Sequence, residues 1–383
     1  PLFDENKISG MINSKSELID TTEKLFGPML HQYTIEEAIS DGNVLGFHVD
    51  YMNTGEFQSY EELREKLAAK IKEEKPELSD REIQRIVVNW DQPELELKAN
   101  EKGILVYHDE THIPRVVEEI LKYWDTQSQN RKFNAILTAA YKNRVIEYYN
   151  EFMQQMEEKD FHINIAMTFS FGNENDPENT PPQVVEEMFL DYSKFTGIEF
   201  AMGDKRRGES AYFEDIVERA TRGGSGRNPK NIDLVIVADQ LLTGYDSKLL
   251  NTLYVDRSLE LQGLIQAYSR TNRVYGKDKE FGSIINFQYP ALTKKTVDIA
   301  LKLYGSGGKS SKAIVEKYPT AVDQFLVAVR EMKKTLEDPT KWIEIKEDED
   351  EKQLFLKSFR DAAEQLNLVT QYYQYKWDLQ SAN

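Results

Sequence analysis

Apolar positions along this chain follow two rhythms. Runs that are apolar on nearly every residue, and rich in β-branched side chains, recur at Ile232–Ala238, Thr252–Val255 and Gly282–Phe287. Such runs suit strands of a parallel sheet, whose crossover helices cover both faces. Lys132–Thr138, Asn164–Ser170 and Val44–Tyr51 read as further strands. Between them the spacing turns helical, over Asp109–Tyr123, Ala139–Glu157, Pro181–Phe195, Ala211–Thr221 and Leu259–Val274. Strands alternating with helices predict an α/β fold built on a doubly wound parallel sheet. No internal repeat is visible.

Three stretches stand apart from this alternation. Thr34, with Glu37 three residues on, forms the capping signature of a helix that Gly42 ends. Gly55–Val106 is charged and helix-prone, and reads as a helical excursion on the sheet edge. Ala313–Asn383 shows helical periodicity without a strand signal. Leu326, Val329, Met332 and Leu336 space as one apolar face there, and Phe355, Phe359, Ala362 and Leu366 as another. The division expected is a leading segment over 1–30, an α/β unit over 31–290 with a helical insertion near 55–105, and a helical region over 291–383.

Composition narrows the class. The 383 residues allow two or three domains. No run of apolar residues is long enough for a membrane span, and Pro1–Gly10 is neither basic nor apolar enough for a signal peptide. There is no cysteine, which excludes disulfides and thiolate metal sites and suits a reducing, cytoplasmic compartment. His108 and His112 stand four apart but lack the H-E-x-x-H context, so ordinary surface or capping roles are expected and no metal site.

The net charge of −18 argues mildly against nucleic acid. Its distribution restores the option. Arg219, Arg222, Arg227 and Lys230 form a short basic run, with Lys205–Arg207 upstream, while acidic weight sits at Glu347–Glu351. Arg222, Arg227 and Lys230 flank the glycine-rich stretch Gly223–Gly226, a loop that could track a phosphate backbone.

The candidate chemistry lies in the Leu259–Val274 segment. Gln266, Arg270 and Arg273 fall at i, i+4 and i+7, on one face of the expected helix. Guanidiniums so grouped at a sheet edge can grip phosphate oxygens. They are expected on one exposed helix face at the C-terminal edge of the sheet. Upstream, Gly244 and Asp246 form a G-x-D turn, with Asp239 earlier in the same loop.

These residues carry a resemblance. Gln266–Arg273 resembles the sixth motif of superfamily 2 helicases and translocases, and Leu242–Asp246 looks like their fifth. More narrowly, LLTGYDSKLLNTLYVD followed by QGLIQAYSRTNR, with the strand Phe281–Phe287, is very similar to the motor (restriction) subunit of type I restriction–modification enzymes. Ser269 stands where most motors carry glycine, and is the residue expected within that family. The stretch FGPMLHQYTIEEAI is similar too. Pro1-Leu2-Phe3 resembles the tail of the segment that ends the first motor lobe.

The resemblance implies a RecA-like second motor lobe with a helical C-terminal region, and ATP and Mg²⁺ as cofactors. It implies double-stranded DNA, with modification and specificity subunits, as partners, and DNA translocation followed by cleavage as the activity. Gly244, Asp246, Gln266, Arg270 and Arg273 would belong to an interlobe ATP site. Gln266 and Arg273 would address the γ-phosphate side, and Arg270 would be the arginine finger. Ala238 and Thr243 stand where relatives carry Thr and Arg, so those nucleic-acid contacts do not carry over.

Two other motifs lack their context. Asp91 with Glu96 and Lys98 mimics a D…E-x-K nuclease centre, yet its flanks are helical and Pro93 suits a loop. Gly305–Ser310 ends like a phosphate loop but follows a helix instead of a strand, so a linker is expected. With neither a complete phosphate loop nor a nuclease centre, the 383 residues alone are expected to be inactive. A non-catalytic interaction module with the same fold, and a superfamily 2 helicase outside restriction, remain alternatives.

Overall fold

The computed structural model describes residues 11–12, 18–55, 57–107, 109–170, 181–221, 230–305, 313–336, 338–341 and 349–375. The chain opens with a short antiparallel pair, β1 (Met11–Ile12) and β2 (Leu18–Ile19), then α1 (Thr22–Phe26) and α2 (Ile35–Ser40). The expected capping box is present, with the Thr34 hydroxyl accepting from Glu37 N and the Glu37 carboxylate from Thr34 N. β3 (Gly46–Tyr51) follows, then the helical excursion α3 (Tyr60–Glu74), α4 (Asp80–Val88) and α5 (Gln92–Glu101), and α6 (His112–Gln127). The alternation then runs β4 (Asn134–Ala139), α7 (Lys142–Glu158), β5 (Ile165–Thr168), α8 (Pro182–Thr196), α9 (Glu209–Thr221), β6 (Leu234–Val237), β7 (Leu250–Asp256), α10 (Leu261–Tyr268), β8 (Phe281–Asn286) and α11 (Pro290–Gly305). α12 (Tyr318–Thr335) and α13 (Glu349–Val369) complete the described chain.

β3 to β8 form one parallel sheet in the order β3-β8-β7-β4-β6-β5, as the apolar runs predicted. One row across it reads Val49, Ile284, Leu253, Ile136, Val235 and Ala166, apolar from edge to edge. That continuity is what a sheet covered on both faces requires.

The excursion α3–α5 carries its own small core of Leu63, Leu67, Ile71, Ile83, Val87 and Leu95. It corrects one expectation. Asp91 is not in a loop but caps α5, with Glu94 completing the box. Glu96 is buried and accepts from Ala291 N and Leu292 N, the first turn of α11, and from the Tyr60 hydroxyl. Burial pushes its carboxyl up, against the pull of those donors. Lys98 pairs with Glu101, so the three side chains serve different tasks.

The helical region is tied to the sheet. Phe47 N donates to Ala313 O and Val315 N to Phe47 O, both at 2.8 Å, which adds a short rung beside β3. Tyr372 is buried against His48 and Phe281 and donates to Glu316 O. Asn367 and Gln371 bond the segment just before β8, through Lys277 O, the Glu280 carboxylate and Glu280 N. The two apolar faces expected here are only partly covered. Phe355 and Ala362 are buried, while Leu326 and Phe359 are exposed.

Candidate functional site

The Leu259–Val274 segment does not form one helix. α10 stops at Tyr268, and Arg270 and Arg273 lie in the turn beyond it. Arg270 N and Thr271 N bond back three residues to Ala267 O and Tyr268 O, and the Thr271 hydroxyl competes for Tyr268 O. Thr271 packs directly on Gly282, where a Cβ would lie 2.1 Å from its Oγ1, so only glycine lets the turn sit on β8. Gln266, Arg270 and Arg273 therefore do not share a helix face.

Their position in the sheet also differs from expectation. α10 is the crossover from the C-terminal end of β7 back to the start of β8, so its last turn arrives at the N-terminal edge. Leu45, just before β3, donates to Asn272 O at 2.8 Å and holds the turn at that edge.

The structure nonetheless brings the two suspected motifs together. Arg273 Nε lies 2.7 Å from Asp246 Oδ1. Arg270 donates through Nη1 to Tyr245 O at 2.5 Å and through Nε to Gln266 O at 3.1 Å. Tyr245 is buried and anchors the loop, while Gly244 takes φ 77°, a left-handed conformation that glycine adopts without steric cost. Nothing stands within 4 Å of a Cβ at Gly244, so the turn faces open space. The Gln266 side chain is exposed.

Asp246 thus pairs with Arg273 and stands near a second guanidinium, that of Arg270. Arg270 is half-buried, and its hydrogen-bond partners are carbonyl oxygens, which carry no formal charge. Burial lowers its pKa, the positive charge of Arg273 lowers it further, and Asp246 acts in the opposite direction. Arginine stays protonated regardless. The net effect is a local excess of positive charge. Across from the arginines, Tyr33, Thr34, Ile35, Ala38 and Val44 form the other wall of an open cleft of about 190 Å³. Nothing in the sequence pattern had linked that segment to the arginines.

The opposite edge of the sheet holds a buried polar cluster that the sequence did not reveal. Asp256, at the end of β7, accepts from His112 Nε2 at 2.6 Å and from Gln288 Nε2 at 2.9 Å, with Arg144 Nη2 at 3.7 Å. His112 is therefore a core residue, against the expected surface role. Burial pushes the Asp256 carboxyl up, but the hydrogen bond and charge of His112 outweigh it and hold the group below its ordinary value. The next residue, Arg257, pairs with Asp239 at 2.5 Å and donates to Ala238 O.

Of the basic run, Arg222 and Arg227 lie outside the described residues, as do Pro1-Leu2-Phe3, His108 and most of Gly305–Ser310. Lys230 donates to Thr196 O at 2.7 Å, at the C-terminal end of α8. Arg219 is buried and paired with Asp215 at 2.7 Å, so it is a structural cation rather than part of an exposed strip. Among the described residues no group of three or more histidine or acidic side chains is placed to hold a metal ion, and no helix is long and apolar enough to cross a membrane.

A parallel α/β sheet with a helical region on its edge, matched by restriction-enzyme models, defines the class. Residues 131–289 match the family model described as type I restriction enzyme subunit R domain 3. Residues 313–382 match that of the type I restriction and modification enzyme subunit R C terminal. The chain belongs to the R-subunit family of type I restriction enzymes. It is 31% identical over 345 residues to the SauCOLORF180P endonuclease subunit of Staphylococcus aureus strain COL, covering 89% of this chain and 33% of that protein. Against the SsaAORF53P endonuclease subunit of Staphylococcus saprophyticus it is 31% identical over 366 residues, covering 94% and 34%. The chain thus spans about a third of the length of these relatives. A solved structure with some likeness is the ATP-dependent type ISP restriction-modification enzyme LlaBIII bound to DNA. That match has TM-score 0.38 and 13% identity, and covers 87% of this chain and 22% of that one.

Proposed function

We propose that this chain supplies the second lobe of the ATP-driven DNA translocase within a type I restriction endonuclease subunit. It works in the cytoplasm with modification and specificity subunits on double-stranded DNA. The observation that carries this reading is the Arg270 guanidinium, bonded to carbonyl oxygens, beside the Arg273–Asp246 pair at an open turn. An anion with several oxygens fits there, and ATP brings one. Arg273, oriented by Asp246, contributes to ground-state binding. Arg270 exchanges its bond to Tyr245 O for the charge that develops on the transferring phosphoryl group. Gln266 is exposed about one helical turn earlier. Mg²⁺ would neutralise phosphate charge, and its ligands are expected from outside this chain.

In the full-length parent, Arg270→Ala should slow ATP turnover by roughly a thousandfold or more, the size usual for an arginine finger. ATP affinity should change little, because the finger acts mainly in the transition state. The isolated 383 residues should not hydrolyse ATP above background. Robust hydrolysis by the chain alone, or near-normal turnover in the Arg270→Ala parent with saturating DNA, overturns the reading.

A further inference from the structure

The cleft beside the arginines has two chemically different walls. One holds Arg270 and Arg273; the other is the aromatic and aliphatic set Tyr33, Ile35, Ala38 and Val44. Tyr33 is half-exposed, yet its position is set. Its hydroxyl donates to Asp41 Oδ2 and accepts from Asn43 Nδ2, both at 2.8 Å. The capping box at Thr34 holds the adjoining turn, and the Leu45–Asn272 bond fixes the distance between the walls. A cleft of about 190 Å³ is smaller than the range usual for a whole drug-sized ligand. It suits one flat ring system, with charged substituents left outside at the guanidiniums.

We propose that the slot between Tyr33–Val44 and the Arg270–Arg273 turn holds the base of the nucleotide whose phosphates the arginines address. This rests on the ATP reading above and assigns the base to this lobe. Tyr33 offers the ring face on which the adenine lies, and Ile35, Ala38 and Val44 exclude water from its edge. Ring-on-ring stacking tolerates any base, so the slot sets affinity more than base identity.

Saturation-transfer NMR on the 383-residue chain tests this with ATP and adenosine as ligands and inorganic tripolyphosphate as competitor. The base protons of ATP should take up more saturation than the ribose protons, and adenosine should displace ATP. Tyr33→Ala should weaken ATP and adenosine by about tenfold or more, the range of a lost stacking partner, and leave tripolyphosphate unchanged. Tyr33→Phe keeps the ring and should bind as the parent does, which separates stacking from loss of the Asp41 and Asn43 bonds. The double variant Arg270→Ala/Arg273→Ala should weaken ATP and tripolyphosphate and spare adenosine. If it spares all three, the phosphate reading falls while the base slot stands. No saturation on the base protons, or unchanged ATP binding in Tyr33→Ala, overturns the slot.

Discussion

Asp246 and Arg273 meet at 2.7 Å across two loops, one leading into β7 and the other into β8. Asp246 is largely exposed and Arg273 partly so, so the pair orients rather than stabilises. An exposed ion pair of this kind is worth less than about 1 kcal/mol. Asp246→Asn should therefore leave thermal unfolding nearly unchanged while lowering ATP turnover in the parent protein. A fall in melting temperature matching the loss of turnover would make the pair structural instead.

The Asp256–His112 pair is the contrasting case, because both side chains are buried. Asp256→Ala leaves His112 and Gln288 without their shared acceptor, removes the carboxylate nearest Arg144, and should cost about 3–5 kcal/mol, read by urea unfolding. Its pH dependence has a definite sign. The folded carboxyl lies below its unfolded value of about 3.9, so its contribution is present above that pH. It is lost as pH falls through the folded value. The acid limb of the stability curve should flatten in Asp256→Ala.

Lys279 is shifted in the same direction, in a higher pH window. Its ammonium is buried, bonds the carbonyls of Lys248 and Leu250, and is pushed down to about 7 by burial and by Arg273. Between that value and the unfolded one near 10.4, the unfolded chain binds more protons. Stability should rise with pH across this window through Lys279. Urea midpoints at pH 7 and 9 should converge in Lys279→Met relative to the parent; an unchanged difference would locate the titration elsewhere.

DNA contact through the basic loop predicts a salt effect. Arg222→Ala with Arg227→Ala should flatten the log–log salt dependence of DNA binding by about 0.9 per phosphate contact removed. Lys230→Ala should change that slope less, since its ammonium is spent on Thr196 O. An equal change from Lys230 alone would move the contact to that residue.

The parallel sheet was legible because a strand buried on both faces is a local pattern; Ile232–Ala238 and Gly282–Phe287 needed no partner to be read. The Thr34–Glu37 box was legible for the same reason, since both its bonds close within one turn. Family membership also rests on contiguous residues, Leu242–Asp246 and Gln266–Arg273. What the sequence could not decide was where those residues stand. Helical spacing continued through Val274, but the packing of Thr271 on Gly282 ended α10 at Tyr268. The crossover then delivered Arg270 and Arg273 to the edge opposite the one expected. His112 reads as a surface residue until Asp256, 144 positions away, is placed beside it. Tyr33 joins the arginines only because β3 lies next to β8. Periodicity records which face of an element is apolar; which elements meet is settled by sheet order and crossover direction, and only the tertiary structure fixes those.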